Sequence, residues 1–157
     1  MINFNGKRAL VTGGTRGIGK SISDILESNG AEVTRTSTKD VDFSNLESTQ
    51  KFLDVISNES YDILVNNAGI CINNFIDQIT LDDFDKIQKV NLYAPFLVTQ
   101  SVIRGMKKKG YGRIVNISSI KGTGSSERRL SYTTSKSGLN GMTRTMSCDL
   151  ARYGILV

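Results

Sequence analysis

Tyr132 and Lys136 stand four residues apart in Ser131-Tyr132-Thr133-Thr134-Ser135-Lys136. On a helix this spacing puts both side chains on one face, one turn apart. An ammonium beside a phenol favours the phenolate and draws its pKa down from about 10 towards neutrality. A tyrosine so placed can pass a proton at physiological pH. Upstream, Ser119 follows an apolar run that reads as a strand, and its hydroxyl is a candidate third member of the site. A lone Tyr-x-x-x-Lys pair is common on solvated helix faces, so its meaning depends on the elements that position it.

The first of these elements is a strand over residues 7–12, with Ala9, Leu10 and Val11 at its centre. It runs into Thr12-Gly13-Gly14-Thr15-Arg16-Gly17-Ile18-Gly19, and then Ile18, Ile22, Ile25 and Leu26 recur at helical spacing until Asn29-Gly30. Strand, glycine turn and helix form the context of a phosphate-binding loop. Glycines let the backbone approach a pyrophosphate, and a helix N-terminus offers free N–H groups and a positive dipole end. The spacing is G-x-x-x-G-x-G rather than the commoner G-x-G-x-x-G. Gly13, Thr15, Arg16, Gly17, Ile18 and Gly19 are therefore candidate dinucleotide contacts.

Residues 31–36 read as a second strand, whose end is where such a fold tests the adenosine ribose. A carboxylate there would bond a 2′-hydroxyl and repel a 2′-phosphate. The chain instead has Ser37-Thr38-Lys39, with Arg16 in the glycine loop, a basic and hydroxyl-rich corner suited to NADP(H). Asp40 is near enough to keep NAD(H) open as an alternative. Val41-Asp42-Phe43 is expected to be a short third strand, with the intervening crossover reduced to a loop. Leu46, Thr49, Leu53 and Ile56 give the next helix its apolar face. A fourth strand over 61–65 ends in Asn66-Asn67-Ala68-Gly69, small residues that leave room for a ligand at a strand's C-terminal end.

Thr80 caps a long helical stretch with Asp82 and Asp83 in its first turn. Phe84, Ile87, Asn91, Ala94 and Val98 share one stripe. Asn91, polar on an apolar face, must find hydrogen bonds. It is either a satisfied core amide or a group that holds backbone or water in an active site. Pro95 is expected to bend this helix, and Lys107-Lys108-Lys109-Gly110 closes it. Residues 113–117 form a fifth strand delivering Ser118-Ser119. A loop over 121–129 then leads to the helix of Tyr132 and Lys136, with Leu139, Met142, Met146 and Leu150 on its apolar side.

Composition sets the outer bounds. The 157 residues, 38% hydrophobic and 22% charged, suit one globular domain over residues 1–157. No apolar run reaches the ~20 residues of a membrane helix, and the N-terminus lacks the form of a signal peptide. Cys71 and Cys148 have no metal or disulfide-framework spacing, which favours the cytoplasm. The net charge of +5 is scattered apart from Lys107–Lys109 and Arg128-Arg129, so neither nucleic acid nor membrane is an expected partner. With no histidine, a histidine base is excluded, and no metal site is expected.

Thr12–Gly19, Asp42, Asn66–Gly69, Asn91, Ser119, Tyr132 and Lys136, in this order, resemble a classical short-chain dehydrogenase/reductase of the 3-oxoacyl-carrier-protein reductase type. The resemblance runs from Lys7 to Val157. It implies an α/β, Rossmann-like, doubly wound parallel sheet. It implies that Tyr132 is the general acid/base and that Lys136 lowers its pKa and holds the nicotinamide ribose. By the same resemblance Ser119 polarises a substrate carbonyl, Asn91 anchors a relay water, Asp42 contacts adenine, and Asn67, Ala68 and Gly69 line the cofactor cleft. A small carbonyl or alcohol substrate is implied, and so is a homo-oligomer built through the helices matching residues 80–108 and 131–152. Gly154-Ile155-Leu156-Val157 resembles the opening of a sixth strand, after which the family continues with a Pro-Gly turn, a mobile lid and a seventh strand. A chain ending there is expected to expose a sheet edge and apolar faces and to turn over weakly or not at all. A dinucleotide-binding regulator or remnant on the same fold is the alternative to an enzyme.

Overall fold

The computed structural model describes residues 2–157. Its strands are β1 (Arg8–Val11), β2 (Glu32–Arg35), β3 (Ile63–Asn66), β4 (Gly112–Asn116) and β5 (Ile155–Leu156). They pair in the order β2-β1-β3-β4-β5, each pair parallel. Parallel neighbours need crossovers, and helices supply them. Helix α1 (Gly17–Ser28) follows β1, α2 (Leu46–Ser57) follows β2, α3 (Leu81–Gln88) and α4 (Ala94–Lys109) follow β3, and α5 (Leu130–Ala151) follows β4. From β1 the chain steps outward to β2 and then returns to β3 on the other side. That reversal opens a crevice at the C-terminal ends of β1 and β3.

Side chains alternate across the sheet and feed two cores. Leu10, Leu64, Ile114 and Ile155 join Leu53 and Ile56 of α2, Val98, Val102 and Met106 of α4, and Leu150 of α5. Ala9, Val11, Ile63 and Val65 meet Leu26 of α1 on the opposite face. β3 is buried along its whole length, as the apolar run Ile63-Leu64-Val65 requires in a parallel sheet. On the α1 face, Val115 and Leu156 remain 48% and 57% exposed.

The expected third strand at Val41-Asp42-Phe43 does not form. Val41 and Phe43 both point into the core beside Leu53 and Ile56, and Phe43 meets Phe52 edge-on at 5.8 Å. Asp42 turns the chain between them: its carboxylate accepts from the Ser44 N–H and hydroxyl at 2.9 and 2.7 Å. Asn45 then caps α2, its side chain accepting from the Ser48 N–H. β2 is consequently the edge of the sheet, and the strand expected as the sixth is the fifth. Two apolar faces also shift. Leu46 is exposed at the start of α2, and Ile18 and Ile25 are exposed on α1, whose buried face is Gly19, Ser23 and Leu26. Small residues let α1 lie close to the sheet.

The long helical stretch is broken where Pro95 sits. A single π turn, Lys89–Tyr93, separates α3 from α4. Proline has no N–H to give the carbonyl four residues earlier, so the α pattern cannot run through this point. The turn carries Asn91, which is fully buried.

Candidate active site

The glycine loop bridges β1 and α1 at the crevice. At Gly19 a Cβ would overlap the Gly13 carbonyl oxygen and the Asn67 side-chain amide, so no larger residue fits. Gly17 has φ +52° with open space above it. α2 and α3 begin with side-chain caps from Asn45 and Thr80, but α1 begins at Arg16 with no side-chain cap and no acidic residue in its first turn. Its leading N–H groups are left for an anion.

The loop is held from behind. The Asn67 amide donates to the carbonyls of Thr12 and Gly13 at 2.9 and 3.0 Å. The N–H groups of Asn67 and Ala68 donate to the Thr12 hydroxyl at 3.0 and 3.1 Å. Asn67 is thus a brace between β3 and the loop as well as part of the cleft wall. Thr36 adds a second brace, accepting from the Gly14 N–H at its carbonyl and from the Gly13 N–H at its hydroxyl.

These loops enclose a cleft of about 1010 Å³. Gly13, Thr15, Arg16, Gly17, Ile18, Gly19, Ser37, Thr38, Asp42, Asn67, Ala68 and Gly69 all line it. The sequence reading missed Lys86 and Val90, which reach the cleft from α3 and the π turn. Cations from Arg16, Lys39 and Lys86 stand around it, with Asp42 as the carboxylate on its wall. The Ser44 hydroxyl, then its N–H, hold the Asp42 pKa below the ordinary carboxylate value, and the Lys86 charge adds to this.

None of the four catalytic candidates lines the cleft, and two of them, Asn91 and Lys136, adjoin it through Gly69. A Cβ built on Gly69 would stand 3.5 Å from Asn91 Oδ1 and 3.7 Å from Lys136 Nζ, so Gly69 is the wall between the two halves. The Asn91 amide pairs with the Ile70 backbone in both directions: Oδ1 accepts from the Ile70 N–H at 2.8 Å, and Nδ2 donates to the Ile70 carbonyl at 2.9 Å. Nδ2 also donates to the Ser135 hydroxyl at 3.1 Å, and that hydroxyl donates to the Tyr132 carbonyl at 2.7 Å. The side chain is thus fully engaged, and Pro95, four residues on, has no N–H to offer the Asn91 backbone carbonyl.

Tyr132 and Lys136 lie one turn apart on α5, with Lys136 Nζ 5.8 Å from the centre of the Tyr132 ring. Nζ donates to the Ile117 carbonyl at 2.8 Å, which ties α5 to the end of β4. Lys136 is buried, and that burial pushes its pKa below the ordinary lysine value. Ser119 is extended and half-buried, and its hydroxyl oxygen accepts from the Lys121 N–H at 3.1 Å, leaving its own proton to donate. The 3-10 turn that follows, Ile120–Gly122, packs on α5, with the Ser137 hydroxyl donating to the Gly122 carbonyl. From sequence alone Ser135 has no role beyond its place between Tyr132 and Lys136. Its signal was a hydroxyl three residues after Tyr132, at the spacing that bonds back along a helix.

Among the described residues no helix is long and apolar enough to cross a membrane, and no group of three metal-ligating side chains occurs. A model of the short chain dehydrogenase family matches residues 34–157. The 3-oxoacyl-(acyl-carrier-protein) reductase of Vibrio cholerae is 35% identical over 99% of this chain and 72% of the relative. That of Aquifex aeolicus is 37% identical over 99% and 73%. Among solved structures, a gluconate 5-dehydrogenase from Burkholderia cenocepacia, in complex with NADP and tartrate, superposes with a TM-score of 0.85 at 28% identity. The superposition covers 98% of this chain and 69% of that one. With the family model matching most of the chain and relatives aligned along nearly all of it, this protein belongs to the short-chain dehydrogenase family and is similar to its 3-oxoacyl-carrier-protein reductases.

Proposed function

We propose that residues 1–157 act as one NADP(H)-binding domain that interconverts a carbonyl and an alcohol, with Tyr132 as the proton donor. The observation that carries the reading is the position of Gly69, lining the nucleotide-sized cleft on one side and adjoining Asn91 and Lys136 on the other. The cleft fits a dinucleotide: its glycine turn admits close backbone approach, the start of α1 is uncapped, and its cations suit phosphates. NADP(H), when bound, supplies or accepts the hydride. Tyr132 gives the proton to the carbonyl oxygen, and the Ser119 hydroxyl donates a hydrogen bond to that oxygen. Lys136 orients the nicotinamide ribose and favours the phenolate that remains. Asp42, whose second carboxylate oxygen is not taken by Ser44, meets adenine.

A 3-oxoacyl thioester is the proposed substrate class, supported by the names of the curated relatives. A homodimer through α4 and α5 is proposed with it, supported by Tyr93 and Phe96, about half exposed at the start of α4.

Titrating the chain with NADPH and NADH, followed by nucleotide fluorescence, tests the cofactor. NADPH is expected to bind more tightly, and Arg16→Ala to weaken it by about tenfold or more while sparing NADH. Tighter binding of NADH contradicts the reading of the corner formed by Arg16, Ser37, Thr38 and Lys39 as an NADP(H) site.

A further inference from the structure

Asp40 is a carboxylate shortly after β2 that could serve as an acid against the ribose, and its geometry points elsewhere. Its Oδ2 accepts from the Ser37 N–H at 2.8 Å and from the Ser37 hydroxyl at 2.7 Å. The backbone closes the same turn, with the N–H groups of Asp40 and Val41 both donating to the Ser37 carbonyl at 3.1 Å. The Lys39 N–H donates to the Ser37 hydroxyl oxygen at 3.2 Å. Ser37 is therefore locked at every polar atom, its hydroxyl proton included. Thr38 and Lys39 are left exposed at the tip of the turn.

The two sides of this turn face different spaces. Ser37, Thr38 and Lys39 line the nucleotide cleft. Asp40 does not; it lines a shallow groove with Asn45, Ser48 and Lys51. The other cation of the neighbourhood, Arg35, is already engaged by Asp24 and Glu27. Among the cleft groups on the glycine loop and after β2, Arg16, Thr38 and Lys39 are then left to meet a 2′-phosphate, and the last two hold their places through the Ser37 turn.

We propose that Asp40 is a positioning residue for NADP(H) selectivity: it fixes the turn that presents Thr38 and Lys39 to the 2′-phosphate and does not read the ribose itself. The inference rests on the cofactor reading above. It has a distinctive sign. A carboxylate that repelled a 2′-phosphate would, on removal, let NADPH bind more tightly. A carboxylate that positions the turn would, on removal, let NADPH bind more weakly, despite the lost negative charge.

The test is the dissociation constant of NADPH and of NADH for the unmutated chain, Asp40→Ala and Asp40→Asn, with a thermal melt of each. Asparagine keeps an oxygen that accepts both Ser37 donors; alanine does not. Asp40→Ala is expected to weaken NADPH by about tenfold, with NADH within about threefold of its starting value. Asp40→Asn is expected to keep the NADPH affinity. Tighter NADPH binding in Asp40→Ala, no change in it, equal loss of both nucleotides, or the same loss in Asp40→Asn overturns the inference. A preference of the unmutated chain for NADH is read before any variant; it overturns the cofactor reading and takes this inference with it. Altered selectivity in a chain that starts by preferring NADPH belongs to Asp40 alone.

Discussion

Lys136 and Ile117 are joined by a hydrogen bond of 2.8 Å, from a buried ammonium on α5 to the carbonyl that follows β4. The bond fixes the cation beneath Tyr132 and beside Gly69, where the proposed chemistry needs it. It also places a charge where water is scarce, and the lowered pKa of Lys136 records that cost.

A functional cation held at a cost to the fold has a testable sign. Burial lowers the folded-state pKa of Lys136 from 10.5. Above the unfolded value the group is neutral in both states and costs nothing. As pH falls the unfolded chain protonates first, so the cost grows and is complete below the folded pKa. The melting-temperature difference between Lys136→Met and the unmutated chain is expected to move in the variant's favour as pH falls from 10.5 towards neutrality. NADPH binding should fall in the same variant, and Lys136→Arg should not restore it fully, since a planar fork replaces a compact point charge. A difference that stays constant between neutrality and pH 10.5 would contradict this view of Lys136.

Asp62 has the opposite sign. Burial alone would raise its pKa, but the Arg8 N–H at 2.9 Å and the Lys109 ammonium at 2.9 Å together hold it below the ordinary 3.8. Its contribution to stability is present above the unfolded value and lost as pH falls through the folded one. Asp62→Ala is expected to cost about 1–3 kcal/mol near neutrality by leaving the part-buried Arg8 N–H unpaired. The gap between variant and unmutated melting temperatures should narrow below pH 3.8. A gap that stays constant into strong acid would show that the ionised carboxylate contributes nothing.

The parts legible in the sequence were those whose residues leave few physical options. A glycine turn between strand and helix, small residues after β3, and a Tyr-Lys pair one turn apart each carry their own geometry. Val41-Asp42-Phe43 was misread because two apolar residues flanking a polar one fit a strand period over three positions, and only the hydrogen bonds of Asp42 to Ser44 distinguish a turn. Ile18 and Ile25 were misread because helical spacing does not say which of two faces is buried; small Gly19 and Ser23 took the sheet side. Pro95 marked a disturbance in its helix, but a π turn at Asn91 and the reciprocal pair with Ile70 depend on contacts distant in the chain.

Association supplies a further check. α4 and α5 are the long helices of the proposed dimer, and Tyr93 and Phe96 are 52% and 46% exposed. Sedimentation equilibrium at micromolar concentration is expected to give a dimer or larger species. Phe96→Glu is expected to shift it towards monomer by burying a charge against an apolar partner surface. A stable monomer for the unmutated chain would contradict the proposed interface.

The most direct test of the central claim is Tyr132→Phe, measured for NADPH affinity and for NADPH oxidation with a 3-oxoacyl thioester. Phenylalanine keeps the ring and its packing but has no proton to transfer. The expected result is unchanged NADPH binding with turnover reduced by about 10²–10⁴ relative to the unmutated chain. NADPH binding with no turnover in the unmutated chain would favour the alternative reading, a dinucleotide-binding module on this fold. Turnover by Tyr132→Phe at the unmutated rate would place the proton donor elsewhere and contradict the assignment of this site.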